Sequence, residues 1–241
     1  RVNKMLIVCF CAIAAVCGSC DKNLLEYNQG DIRGKVEKGT AYLHDFPLFL
    51  GIERKNAPQM AIWVEDTAGN YVATIYVTGK IANQSWSFAG GNRRKEALPC
   101  WCHARGVRYG DGLYLPTKSE PLTDGVSGAT PRESFEVKMT PLSGLKHFVV
   151  KVEVNHSTDF NEYYPKSAKE RDKGYSGGKM GSGQPAVVYA AEVNLESGEK
   201  EFKAVLIGHS SPDGSNGDVF PDVTKLTTAL RIVKEIIVSV K

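Results

Sequence analysis

Five clusters in this chain bring together residue types that can do chemistry. The first is Asp124-Gly125-Val126-Ser127-Gly128-Ala129-Thr130, a carboxylate and a hydroxyl separated by small residues. Gly128 leaves the backbone free to turn. On its residues alone the run reads as a surface turn in which Asp124 and Ser127 hydrogen-bond nearby backbone. The second, Cys100-Trp101-Cys102-His103, sets two thiols beside an imidazole. Metal frameworks favour the wider C-x-x-C spacing and haem attachment uses C-x-x-C-H. A packed or oxidised cysteine pair is therefore expected, with a copper(I) or zinc site completed by His209 as the alternative. The third, Asp213-Gly214-Ser215-Asn216-Gly217-Asp218, alternates oxygen side chains as a calcium loop does. Thr224 stands where an EF-hand has its closing glutamate, although Asp222 is near, so a polar turn is the preferred reading and calcium the alternative. The fourth, Asn155-His156-Ser157-Thr158-Asp159, holds hydrolase residue types, but no G-x-S-x-G elbow accompanies it and a turn after a strand is expected. Last, Trp63, Trp86 and Trp101 are candidates for a sugar-stacking surface, with Trp63 expected in the core because it sits in a strand. No metal-ligand set and no catalytic constellation is assigned.

Strands must carry these clusters. Gln59-Met60-Ala61-Ile62-Trp63-Val64-Glu65-Asp66 and Tyr71-Val72-Ala73-Thr74-Ile75-Tyr76-Val77 are rich in β-branched and aromatic residues, and Thr67-Ala68-Gly69-Asn70 between them is a turn signal. Together they predict a hairpin. Further strands are expected at 134–139, 147–154, 186–193, 202–208 and 232–240. In the second of these, Phe148, Val150, Val152 and Val154 share one face and Val149, Lys151 and Glu153 the other, which predicts one face on a core and one in water. Helical signal is confined to 92–98, which Pro99 would end, and to 224–232. Short strands between Gly- and Pro-rich turns predict an all-β fold over residues 33–241: a single-domain antiparallel β-sandwich, immunoglobulin-like, with few short helices. Two long irregular segments, 106–131 and 163–185, interrupt the strands. Loops longer than about 15 residues tend to be functional or mobile, and the first of these holds the run from 124 to 130.

The N-terminus has the features of a targeting segment. Arg1 and Lys4 precede an apolar stretch at 6–16, the size of a signal-peptide core and shorter than the roughly 20 residues of a membrane-spanning helix. Cys17-Gly18-Ser19-Cys20-Asp21 then resembles a bacterial lipobox, which implies cleavage before Cys20 and lipidation of its thiol. Cys17 stands where the pattern has an aliphatic residue, and an ordinary secretory peptide cut nearby is the alternative. The expected organisation is a signal peptide at 1–19, a polar tether at 20–32 and the folded domain beyond. The protein would be anchored in the periplasm or at the cell surface of a Gram-negative bacterium. Removing 1–19 takes away Arg1 and Lys4 and lowers the net charge from +3 to +1. A near-neutral body without a basic run has no electrostatic footprint for nucleic acid. Only Cys100 and Cys102 lie beyond the targeting segment, so a core rather than a disulfide framework must hold the domain.

The D-x-x-S-G-A-T pattern resembles the site at which FMN is attached covalently to a threonine in the FMN-binding domains of the Rnf and sodium-translocating NADH:quinone reductase complexes. In that family a separate magnesium-dependent flavin transferase uses FAD as donor. The resemblance implies that Thr130 is the acceptor hydroxyl and that Asp124 positions the loop. It also implies that Ser127, Gly128 and Ala129 are small enough to enter the transferase, and that the redox chemistry belongs to the isoalloxazine ring. The chain departs from the family pattern at Pro131-Arg132-Glu133, where another Thr or Ser usually follows, and Pro131 biases Thr130 toward extended backbone. Longer phrases, among them Ala61-Ile62-Trp63-Val64-Glu65-Asp66, Leu98-Pro99-Cys100-Trp101, Gly183-Gln184-Pro185 and Leu226-Thr227-Thr228-Ala229, resemble a family of bacterial envelope proteins of unknown function. Its members are similar to proteins found beside flavin transferases. The expected function is that of a lipid-anchored covalent FMN carrier in envelope electron transfer. Its partners would be a flavin transferase and a redox protein, and it would have no catalysis of its own. The alternatives are a non-catalytic binding or scaffold module for a protein or glycan and, third, a calcium-stabilised adhesion domain.

Overall fold

The computed structural model describes residues 32–47, 50–86, 93–122, 126–140 and 144–241. The targeting segment with Cys20, and Asp124 and Gly125 of the small-residue run, lie outside the described residues. The chain forms β1 Ile32–Lys38, β2 His44–Pro47, β3 Glu53–Asn56, β4 Gln59–Asp66, β5 Tyr71–Thr78, α1 Gly79–Asn83, α2 Pro99–Ala104, β6 Val126–Gly128, β7 Phe135–Met139, β8 His147–Asn155, β9 Val187–Asn194, β10 Glu201–Lys203, β11 Val205–His209 and β12 Val233–Val240. Short 3-10 turns lie at Gly178–Met180 and Thr228–Arg231. The fold is all-β. Among the described residues no helix is long and apolar enough to cross a membrane.

Among the described residues three sheets form: one has the order β10-β12-β1-β7, the second β11-β9-β8-β4-β5-β6, and the third pairs β2 with β3. The expected hairpin is β4–β5, closed by Asp66, whose carboxylate accepts from the Ala68 and Asn70 amides at 2.9 and 2.8 Å. The main core draws on both larger sheets: Ile32, Val137, Ile236 and Val238 from one, Ile62, Val150, Val152 and Val187 from the other. Its apolar burial is the principal stabilising term. Residues 202–208, expected as one strand, divide at Ala204, so β10 and β11 join different sheets.

Three expectations need correction. The second face of β8 is not in water: Glu153 is fully buried, because a second core of Ala61, Trp63, Ile81, Leu98, Trp101 and Val188 covers that side of the six-stranded sheet. Pro99 begins a helix rather than ending one. Its missing N–H is no loss in a first turn and its fixed φ suits one. The two long segments are less irregular than expected. β6 lies within the first, and the second is tied down by the Asp159–Gly183 bridge and the Ser182 amide on the Ser176 carbonyl at 2.9 Å. Gly183 has φ +76°, and a Cβ there would meet the Asp159 carbonyl carbon at 2.3 Å, so this crossing requires glycine.

Candidate functional site

The site begins with β6. This three-residue edge strand pairs in parallel with β5, setting Ser127 opposite Val77 and Gly128 opposite Thr78. The pairing carries Thr130 to Thr78, 52 residues away in sequence, with their Oγ1 atoms 2.9 Å apart. Thr78 Oγ1 also accepts the Met60 amide at 2.8 Å. Beyond Thr130 the backbone is held from two directions. Tyr42 donates its hydroxyl to the Pro131 carbonyl at 2.8 Å, and Arg132 Nη1 donates to the Lys55 carbonyl at 2.7 Å.

These contacts leave a cleft of about 680 Å³ beside Thr130, a volume typical of small-molecule and cofactor sites. Ser127, Gly128, Ala129 and Thr130 form one wall, and Trp86, Phe46 and His44 contribute aromatic surface. Four cationic side chains, Arg54, Lys80, Arg94 and Arg132, line the cleft, and no carboxylate is among its described lining residues. Partial burial, then the Arg54 and Arg94 guanidiniums, hold the Lys80 ammonium below its usual value. A cation crowded by like charges gains most from an anion.

One wall is fixed from behind. Trp86 donates Nε1–H to Gln84 Oε1 at 3.1 Å, with the Arg94 guanidinium 4.6 Å from the ring centroid, inside cation–π range. Arg94 is buried, paired with Glu96 at 3.1 Å, and donates to Ser157 and, at 2.9 Å, to Ser182. Ser182 donates to Asn155 Oδ1 at 2.7 Å, so Arg94 is anchored to the end of β8. His156 also lines the cleft. Burial, then the neighbouring His44 imidazole 5.0 Å away, lower its pKa to about 3, so it stands neutral and donates Nε2–H to the Ala41 carbonyl at 2.9 Å.

The sequence candidates separate as follows. Ser127 and Ala129 are exposed, Gly128 is half-buried and Thr130 is 9% exposed. Thr130 is therefore a docked hydroxyl rather than part of a loose surface turn. Gly128 has no positive φ, and among the described residues a Cβ there would meet nothing within 4 Å, so the fold itself does not demand glycine. Cys100 and Cys102 are free thiols packed in the second core, and burial raises both. Among the described residues no three His, Cys, Asp or Glu side chains are grouped to hold a metal ion. In the 213–218 turn, Asp213 accepts from Ser211 Oγ at 2.7 Å and from the Ser215 amide at 3.0 Å. Trp63 and Trp101 are core residues, so the three tryptophans do not form one sugar-stacking surface. Sequence reasoning missed Arg54, Lys80, Arg94 and Arg132 as a group. They come from separate parts of the chain, and no local spacing marks them.

Comparison with protein-family models, with curated proteins and with solved structures finds no match for this chain.

Proposed function

We propose that this protein is an exported, lipid-anchored carrier of covalently bound FMN, attached through Thr130 and serving electron transfer at the envelope. The observation that carries the reading is Thr130 in the wall of a cleft lined by Arg54, Lys80 and Arg132, with Arg94 held by Glu96 behind it and no carboxylate among the described lining residues. A phosphate-bearing aromatic ligand suits that lining: guanidinium and ammonium groups favour phosphoryl oxygens, and Trp86 and Phe46 offer apolar ring surface. FMN would supply one- and two-electron redox chemistry, while the chain's residues bind and orient it. In the attachment itself, catalysed by a separate flavin transferase, a bond forms between Thr130 Oγ1 and the FMN phosphorus of FAD. The pyrophosphate bond breaks, AMP leaves, and the threonine proton passes to the transferase's base. Anchoring at Cys20, in the periplasm or at the cell surface of a Gram-negative bacterium, belongs to the same proposal, as does membership of the uncharacterised envelope family. The proposal also takes the two larger sheets as layers of an immunoglobulin-like β-sandwich, which their shared core supports.

Protein coexpressed with its flavin transferase should gain the mass of FMN less one water, with flavin fluorescence that survives denaturation. Thr130→Val should lose the label and still fold. Label on Thr130→Val would exclude Thr130 as the acceptor, and an unlabelled wild type would remove the proposal. Gly128→Ala provides a second check. Among the described residues nothing would meet a Cβ at Gly128, so stability should stay within about 1 kcal/mol of wild type, while labelling slows at least tenfold because the added methyl obstructs entry to the transferase. Labelling at the wild-type rate would show that the glycine serves neither purpose.

A second reading is favoured by one observation: the Thr130 hydroxyl is buried and already bonded to Thr78. In that reading Thr130 stays unmodified and the cleft belongs to a non-catalytic envelope module that binds an anionic ligand, such as an acidic glycan or a protein carboxylate. Calorimetric titration of unlabelled protein with acidic oligosaccharides tests it.

A further inference from the structure

We propose that Tyr76 and Thr78 form the seat for the phosphoryl group on Thr130, each donating its hydroxyl proton to a phosphoryl oxygen. The inference rests on Thr130 being the attachment point. Tyr76 and Thr78 alternate along β5 and so share one face of the strand. Thr78 Oγ1 accepts from the Met60 amide and has one proton of its own, with two acceptors in reach: Thr130 Oγ1 at 2.9 Å and the Met60 carbonyl at 3.2 Å.

Tyr76 is the residue left unexplained by the unmodified protein. It is 5% exposed, and its ring lies 5.7 Å from that of Phe135. Its hydroxyl oxygen lies near enough to the Thr130 and Thr78 hydroxyls to be influenced by both, yet among the described residues it has no partner at ordinary hydrogen-bond geometry. A buried hydroxyl without a partner is uncommon and destabilising. A phosphodiester on Thr130 changes the balance. Thr130 ceases to be a donor, and two non-bridging oxygens arrive as strong acceptors. The Tyr76 and Thr78 protons then have a charged target, and charge-assisted hydrogen bonds are roughly twice as strong as neutral ones. Lys80 and Arg54 in the adjoining cleft balance the single negative charge. The Tyr42 bond to the Pro131 carbonyl keeps the backbone beside this seat in place.

The test is a four-way melting comparison of wild type and Tyr76→Phe, each with and without covalent FMN, with labelling verified by intact mass. Without label, Tyr76→Phe should melt at or above the wild-type temperature, because the variant removes an unpaired buried group. With label, it should melt below labelled wild type by roughly 5 °C. The substitution thus changes sign with modification, which a merely structural tyrosine would not do. Thr78→Val gives a second measure: the rise in melting temperature that labelling confers should shrink in it too. If both variants keep the full wild-type rise, the seat is wrong although attachment stands. If wild type takes no label, the attachment reading fails and the seat with it.

Discussion

Between pH 6.5 and 8 the protein will lose about 1 kcal/mol of stability per pH unit, most steeply at the lower end, and the Glu153→Gln variant will not. Glu153 lies on β8 and faces the second core, fully buried, where it accepts the Cys100 and Trp101 amides at 3.1 and 2.8 Å. Those amides are orphan donors in the first turn of α2, so the carboxyl acts as a cap supplied from across the sheet. Burial raises its pKa from 4.5 to about 8, the two amides only partly opposing the shift. A carboxyl whose folded value exceeds its unfolded one keeps its proton in the native state while the unfolded chain has released it. Its contribution is full below pH 4.5 and is lost as pH rises toward 8. His156 works in the opposite sense. Its native value of about 3 lies below 6.5, so its contribution is full above pH 6.5 and lost as pH falls. The two slopes oppose each other between pH 4.5 and 6.5, which leaves the Glu153 loss uncovered above 6.5. Asp159, also raised by burial, has the same sign as Glu153, starting from its ordinary carboxylate range. Urea unfolding at pH 6, 7 and 8 measures the slope. Glu153→Gln should be less stable at pH 6, since its NH₂ faces an amide donor, but flat above it. Parallel profiles for the two proteins would sink this account.

Arg94→Met should cost about 3–5 kcal/mol, the largest expected effect of any substitution at the cleft. Arg94 and Glu96 are 2% and 1% exposed and 3.1 Å apart. Removing the guanidinium leaves a buried carboxylate without its cation and strips the Ser157 and Ser182 hydroxyls of a charged donor. Arg94→Met/Glu96→Gln should recover at least half of the loss, because no uncompensated charge remains. The same substitution removes the cation behind Trp86, so the indole emission should shift to longer wavelength as the ring gains freedom. Chemical denaturation midpoints measure the first effect and Trp fluorescence the second. A double variant no more stable than Arg94→Met would show that the hydroxyl bonds, rather than the ion pair, hold the network.

The elements legible in the sequence are those whose cause is local. The β4–β5 hairpin is readable because Asp66 and Asn70 close the turn within five residues. The core face of β8 is readable because alternation is a property of the strand itself. β2 and β3 are four residues each and, among the described residues, pair with each other. β6 is Val-Ser-Gly, strand only because β5 supplies its partner. Neither carries an apolar period to read. Of the candidate site, the sequence singled out Thr130 and its small neighbours but attributed to Gly128 a turning role that the backbone does not use.

The boundary between the two sources of information runs along contact distance in the chain. Composition and periodicity alone determine an all-β domain with a hairpin near residue 70, and the motif alone determines which hydroxyl to ask about. Only the tertiary structure decided that Thr130 faces Thr78 and Tyr76, that four cations from distant segments share its cleft, and that Glu153 is buried. Each depends on segments close in space but distant in the chain, whose association is specified by the whole core rather than by any local run.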